Sequence, residues 1–185
     1  MVEKIDVTLC SDLPDQGALN EILKDYYRLA VARMQAMGID VDPAAPTSAL
    51  AEFWQNATDY LSPRGCLAIA RTDAGELVGC GMMKRLDSET GEMKRLYVSD
   101  RVRGTGAGRR LVDIRVEEAR RMGLRRLVAD TLTSNVEMRG LYPKLGFANV
   151  PGPIETSTYR DQPMLRPHLH YFVRELEPST RGTPE

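Results

Sequence analysis

Residues 92–111, Glu-Met-Lys-Arg-Leu-Tyr-Val-Ser-Asp-Arg-Val-Arg-Gly-Thr-Gly-Ala-Gly-Arg-Arg-Leu, run from an apolar strand through a glycine-rich turn into the start of a helix. A strand that turns directly into a helix belongs to a layered α/β structure, so this stretch restricts the fold more than any other. Behind Arg103, the glycines Gly104, Gly106 and Gly108 alternate with the small residues Thr105 and Ala107. With so little bulk, the peptide units can turn freely and present their N–H groups outward. A helix starting near Ala107 adds its own unpaired amides and the positive end of its dipole, so the turn suits an anion such as a pyrophosphate.

Spacing removes two kinds of phosphate loop. The Gly-Lys-Ser/Thr ending of a P-loop is absent, and a dinucleotide fingerprint would need glycine where the chain has Arg109 or Leu111. What remains is Arg-x-x-Gly-x-Gly after Leu-Tyr-Val. About thirty residues later Asn135, Leu141, Tyr142, Gly146 and Phe147 form a second pattern, Asn-x-x-x-x-x-Leu-Tyr-x-x-x-Gly-Phe. Asn135 and Tyr142 are seven residues apart and fall on one helix face. Gly146 is a natural left-handed stop, and Phe147 starts the next strand.

Together, residues 92–147 resemble the GNAT superfamily of N-acetyltransferases, and Glu-Met-Lys-Arg-Leu-Tyr-Val resembles a small bacterial subgroup of it. The resemblance implies a mixed α/β (α+β) fold in which a central mixed sheet of six to seven strands is flanked by helices. It also implies acetyl-CoA as cosubstrate. Arg103, Gly104, Thr105, Gly106, Ala107, Gly108 and Arg109 would hold the pyrophosphate, and the strand end Leu96, Tyr97 and Val98 would face the pantetheine arm. Asn135 would touch that arm, and Tyr142 would sit beside the sulfur and donate to the leaving thiolate. The Val98 N–H, at a bulge where the strands part, would stabilise the oxyanion. Two departures stand out: Pro143, which should kink or end its helix, and Met138, where the family often has a small residue.

An amine attacks a thioester only as the free base, and an alkylammonium is mostly protonated at neutral pH, so a general base is needed. Glu92 is spaced like the glutamate with that role in some family members, and Asp130 is a second candidate. Glu92 also shares a strand face with Lys94, which makes an ion pair the competing reading. The acceptor expected is a primary amine on a small molecule or a protein. A GNAT-like fold that binds acyl-CoA as a sensor or scaffold without turnover is the alternative.

The chain has 185 residues, 42% of them hydrophobic, which suits one N-acetyltransferase domain: an acceptor-side helical part (1–63), a coenzyme core (92–147) and a tail (178–185). A net charge of -1 and the absence of a long apolar run indicate neither nucleic acid nor a membrane as partner. The first residues lack the basic and apolar regions of a signal peptide, pointing to the cytoplasm. A homodimer is compatible with all of this. Cys10, Cys66 and Cys80 read as buried thiols, and the pair His168 and His170 lacks further ligands nearby, so no metal is expected. Residues 1–63 hold ten acidic and four basic residues, and 94–126 hold eleven basic and four acidic. The basic block fits a polyanionic cofactor, and the acidic one tolerates a cationic acceptor.

Along the rest of the chain a strand is expected at 5–10. A helix carrying Leu19, Ile22, Leu23, Tyr26, Ala30, Met34 and Met37 follows and stops at Gly38. A second helix, capped by Thr47 or Ser48, carries Leu50, Phe53, Trp54, Ala57 and Leu61, and Tyr26, Tyr27 and Trp54 are candidate walls of an acceptor pocket. Strands are expected at 66–71, 77–86, 92–98, 126–131 and 168–176. The strand–helix–strand connection makes 92–98 and 126–131 parallel neighbours. Residues 151–167 hold four prolines and no periodicity, a long loop of the kind that often serves function.

Overall fold

The structure, a computed structural model, describes residues 4–177, so the tail expected at 178–185 lies outside the described residues. Among those residues seven strands form one sheet: β1 (Ile5–Leu9), β2 (Gly65–Thr72), β3 (Leu77–Arg85), β4 (Thr90–Val98), β5 (Arg126–Leu132), β6 (Ala148–Val150) and β7 (Leu169–Glu175). Their order is β1-β2-β3-β4-β5-β7-β6, antiparallel throughout except for the parallel pair β4 and β5. The fold is thus the mixed α/β sheet expected. No helix among the described residues is long and apolar enough to cross a membrane.

Helix α1 (Gln16–Ala36) starts where Asp15 accepts a hydrogen bond from the Ala18 N–H at 2.9 Å, and the chain leaves it through Gly38 at φ 76°. Helix α2 (Ala45–Gln55) begins two residues before the expected caps, because Pro46 fits a first turn where its missing N–H costs nothing. Helix α3 is Ala107–Arg121, α4 is Val136–Lys144 and α5 is Ser157–Asp161. The final strand starts at Leu169, which leaves His168 in the preceding 3-10 turn.

The sheet is buried on both faces, which is why β2 reads as one apolar run rather than an alternation. Leu67, Ile69, Cys80 and Met82 pack with Leu19, Leu23 and Phe53 of α1 and α2. Ala68, Ala70 and Val78 pack with Leu111 of α3, and Met83 and Met93 with Val112 and Val116. Each fully buried aliphatic side chain contributes about 1.5–3 kcal/mol.

Two irregularities position the site. Strands β4 and β5 pair only over Thr90–Glu92 and Arg126–Val128, then separate. In β4, Lys94 lies opposite Met82 and Tyr97 opposite Cys80, so Arg95 and Leu96 together face Gly81. This is a β-bulge, and it lies two to three residues before the Val98 position where one was expected. Val98 pairs in register with Gly79. Arg95 takes φ 47°, the one positive φ outside glycine among the described residues, a conformation costing about 1–2 kcal/mol.

Candidate active site

The parting of β4 from β5 opens a cavity of about 670 Å³, roofed by α1 and α2 and closed at its sides by α4 and by residues 157–169. Glu92, Lys94, Arg95, Asp130, Asn135 and Tyr142 all line it. Of the aromatic walls expected, Tyr26 and Tyr27 line it as well. Trp54 instead packs beside α1, its indole donating to Asn20 Oδ1 at 2.6 Å.

The bulge brings the Lys94 and Arg95 side chains into the same cavity although they are consecutive in a strand. Lys94 reaches back to Glu92, Nζ to Oε1, at 3.4 Å. Arg95 extends under α1: its Nε donates to the Tyr27 hydroxyl at 3.0 Å and its Nη1 to the Tyr60 hydroxyl at 2.5 Å. Its guanidinium also lies 5.5 Å from the Phe53 ring centroid and 5.3 Å from that of Tyr60, within cation–π range. The bulge is held from below by Arg115 of α3, wholly buried, whose Nη1 donates to Met82 O at 2.6 Å and Lys94 O at 3.3 Å. Cys80 Sγ adds a donation to Arg95 O at 3.6 Å.

Glu92 and Asp130 stand on the strands that diverge, and two consecutive residues of the proline-rich segment hold them. Ser157 donates to Glu92 twice, from its N–H to Oε1 at 3.0 Å and from its hydroxyl to Oε2 at 2.6 Å. With Lys94 the Glu92 carboxylate therefore accepts three hydrogen bonds, at 1% exposure. The Thr156 hydroxyl donates to Asp130 Oδ2. Burial raises the Asp130 carboxyl from its ordinary value, more than the Thr156 hydrogen bond and nearby Lys94 pull it down.

Asn135 is the N-cap of α4, its side chain accepting from the Met138 N–H at 3.3 Å, so it stands at the end of the helix rather than on its face. Tyr142 is 5% exposed and its ring packs on Phe147 and Phe172, with centroids 4.9 and 5.0 Å away. Burial pushes its phenol up to about 12. Pro143 does not break α4 before the site. It falls in the last turn, where i to i+3 bonds from Leu145 N to Tyr142 O and from Gly146 N to Pro143 O close the helix. Met138 packs against the core beside Tyr142.

The glycine turn lies past the end of β4. Gly106 caps α3 at φ 79°, a left-handed conformation open to glycine. Thr105 braces the turn, its hydroxyl donating to Val102 O at 2.7 Å. Arg110 ties the turn to β1, donating to Thr105 O at 3.2 Å and Ile5 O at 3.1 Å. The first-turn amides of α3 at Gly108 and Arg109 precede any carbonyl the helix offers them. Arg103 pairs with Asp100 at 2.9 Å and, across to α4, with Glu137 at 3.4 Å, and Arg109 pairs with Asp113 at 3.6 Å. Exposed pairs of this kind are worth about 0–1 kcal/mol, little obstacle to a phosphate taking either arginine.

Leu96 packs its side chain toward the α3 side, and Tyr97 points the other way, its hydroxyl 3.5 Å from Asp25 Oδ2 on α1. The Ser99 N–H donates to Val78 O on β3, so strand alternation turns the Val98 N–H to the side that β5 has left. Cys66 and Cys80 are buried free thiols, each pushed up to about 12 by burial and so protonated at neutral pH.

Sequence reasoning missed Arg95, Tyr60, Thr156, Ser157 and Arg115. The adjacent cations Lys94 and Arg95 inside an apolar strand were the one local signal, since a regular strand would send one of them into the core.

The acetyltransferase (GNAT) family model matches residues 18–147. An IAA acetyltransferase of Azospirillum brasilense is 36% identical over 98 residues, which cover 49% of this chain and 63% of that protein's length. An uncharacterised N-acetyltransferase of Schizosaccharomyces pombe is 29% identical over 159 residues, 85% of this chain and 91% of its own. Among solved structures, the PaiA N-acetyltransferase of Thermoplasma acidophilum in complex with coenzyme A superposes with a TM-score of 0.68 at 15% identity, covering 94% of this chain and 99% of that one.

Proposed function

The chain belongs to the acetyltransferase (GNAT) family, and we propose that it transfers an acetyl group from acetyl-CoA to a primary amine by direct attack. The observation that carries this reading is the parting of β4 and β5 after Glu92 and Val128. It leaves a slot with an anion-ready helix end beyond one strand and Asn135 and Tyr142 on the far side. The thioester arm would lie along the vacated edge of β4, its pyrophosphate on the amides of Gly106–Arg109 and its amides beside Val98 and Asn135.

Asp130 suits the base better than Glu92. Its carboxyl is raised by burial, which makes its carboxylate the more basic for taking a proton from the amine. Glu92 is occupied by Ser157 and Lys94 and acts as a positioning residue for both. The amine, relieved of its proton, attacks the carbonyl carbon. The Val98 N–H takes the oxyanion, and as the C–S bond breaks Tyr142 gives its proton to the departing thiolate and regains one from the nitrogen that becomes the amide, directly or through water. The buried thiols offer no competing acyl-enzyme route.

The reading places the helices of residues 1–63 on the acceptor side, residues 92–147 on the coenzyme side, and the protein in the cytoplasm, with a homodimer permitted. A free-thiol assay with acetyl-CoA against a panel of amines, amino acids, polyamines and peptides tests it. Thiol release that depends on Asp130 and Tyr142 is expected. Coenzyme binding without release against any amine would instead make the chain an acyl-CoA sensor.

A further inference from the structure

We propose that Arg95 is an anion subsite of the acceptor pocket, so that the acceptor is an amine that also carries a carboxylate. This rests on the acyl-transfer reading above and narrows its substrate class. Arg95 is the fixed cation of the cavity. Its guanidinium is held by two tyrosine hydroxyls and lies within cation–π range of the Phe53 and Tyr60 rings, in a backbone conformation that non-glycine residues rarely adopt.

No carboxylate of the described residues comes within ion-pair distance of it. The other cations of the cavity differ. Lys94 is paired with Glu92 and Arg33 with Glu137, and Lys84, the remaining one, offers a point-charge ammonium on a flexible stem rather than an anchored planar fork. Five carboxylates also line the cavity, namely Glu52, Asp59, Glu92, Asp130 and Asp161. Asp59 is turned to Arg64, and Glu92 and Asp130 are clasped by Ser157 and Thr156.

A half-buried charge without a counter-charge is costly unless a ligand supplies one. A planar guanidinium with two of its nitrogens anchored presents the rest of its fork in a fixed orientation, the arrangement that receives a carboxylate. Asp130 lies in the same cavity to receive the ammonium end. An acceptor bearing both charges therefore meets a fixed cation and a base in one chamber. The acidic first third of the chain suggested a cationic acceptor, but the charges of that segment flank the pocket's one unneutralised guanidinium rather than supplying its partner.

The test compares ω-amino acids of increasing chain length with their amides, in two measurements on wild type and on Arg95→Gln and Arg95→Lys. The first is thiol release from acetyl-CoA. The second is calorimetric binding of the same compounds to the protein saturated with coenzyme A, which needs no turnover.

We expect the acids to exceed their amides by about 10- to 100-fold in kcat/KM and in affinity, at one preferred chain length. In Arg95→Gln that ratio falls to near one, and Arg95→Lys retains part of it. Coenzyme binding by the variants, read as a thermal shift, controls for folding. Amides equal to acids in wild type, or an acid preference that survives Arg95→Gln, overturns the subsite. Acids that bind in an Arg95-dependent way but release no thiol leave the subsite standing and overturn the acetyl-transfer reading instead.

Discussion

The Ser157 hydroxyl donates to Glu92 Oε2 at 2.6 Å, joining residues 65 positions apart in the chain. With the second donation from the Ser157 N–H and the neighbouring bond from Thr156 to Asp130, it stitches the proline-rich segment across the mouth of the strand split. Replacing Ser157 by Ala leaves a buried carboxylate oxygen without its donor. A loss of about 1–3 kcal/mol is expected in urea unfolding. KM for the acceptor should rise as the segment loosens, while coenzyme affinity should stay close to wild type. Unchanged stability would mean that the segment is not held through Glu92.

Asp130→Asn separates the two candidate bases. If Asp130 takes the proton, kcat/KM should fall by about 10²- to 10⁴-fold, and the acid limb of the pH profile that belongs to the enzyme should vanish. Glu92→Gln should shift KM and stability more than kcat. Stability has its own sign. Because burial raises the folded-state pKa of Asp130 above its unfolded value, the stabilisation from binding that proton is full below about pH 3.9 and is lost as pH rises through the folded value. Asp130→Asn, which carries no charge to bury, should therefore melt higher than wild type at pH 8 and near it at pH 4.

Tyr142→Phe keeps the ring packing on Phe147 and Phe172 and removes only the hydroxyl, which faces the cavity. Stability should change by less than about 1 kcal/mol, while kcat drops about tenfold or more if the phenol protonates the thiolate. With the phenol pushed up to about 12, no alkaline limb below pH 10 should come from this residue. A variant with wild-type kcat would reduce Tyr142 to packing.

What was legible in the chain was what local spacing determines. The glycine turn, the Asn135 to Phe147 pattern and the strand–helix–strand order all depend on neighbours within a turn or two. Three features that shape the cavity do not. Arg115 stands in a block of eleven basic residues and looks solvated, yet it lies wholly buried beneath the bulge. The bulge itself has no glycine on its own strand to announce it, because Arg95 takes the left-handed conformation there. Thr156 and Ser157 sit among prolines without periodicity, and their meaning comes from partners 26 and 65 residues away.

Gly81 and Arg115 form the last testable pair. A Cβ built on Gly81 would stand 2.8 Å from both Cζ and Nε of Arg115, so the strand needs glycine there for the guanidinium to pass beneath it. Arg115 Nε and Nη1 are used up on Leu111 O, Met82 O and Lys94 O, while Nη2 has no partner. The side chain has no slack with which to retreat. Gly81→Ala should cost about 1–3 kcal/mol through overpacking. It should also move the Lys94 carbonyl and with it the bulge. Acceptor KM should rise in step with the lost stability, because the peptide that Arg115 holds on one side carries Arg95 on the other. Arg115→Leu should remove the clash but leave two buried strand carbonyls unpaired, so the double variant Gly81→Ala with Arg115→Leu should recover part of the packing loss without recovering acceptor KM. Paired urea melts and acceptor titrations of the three proteins measure that split. Recovery of both quantities together would show that the bulge holds its shape without Arg115.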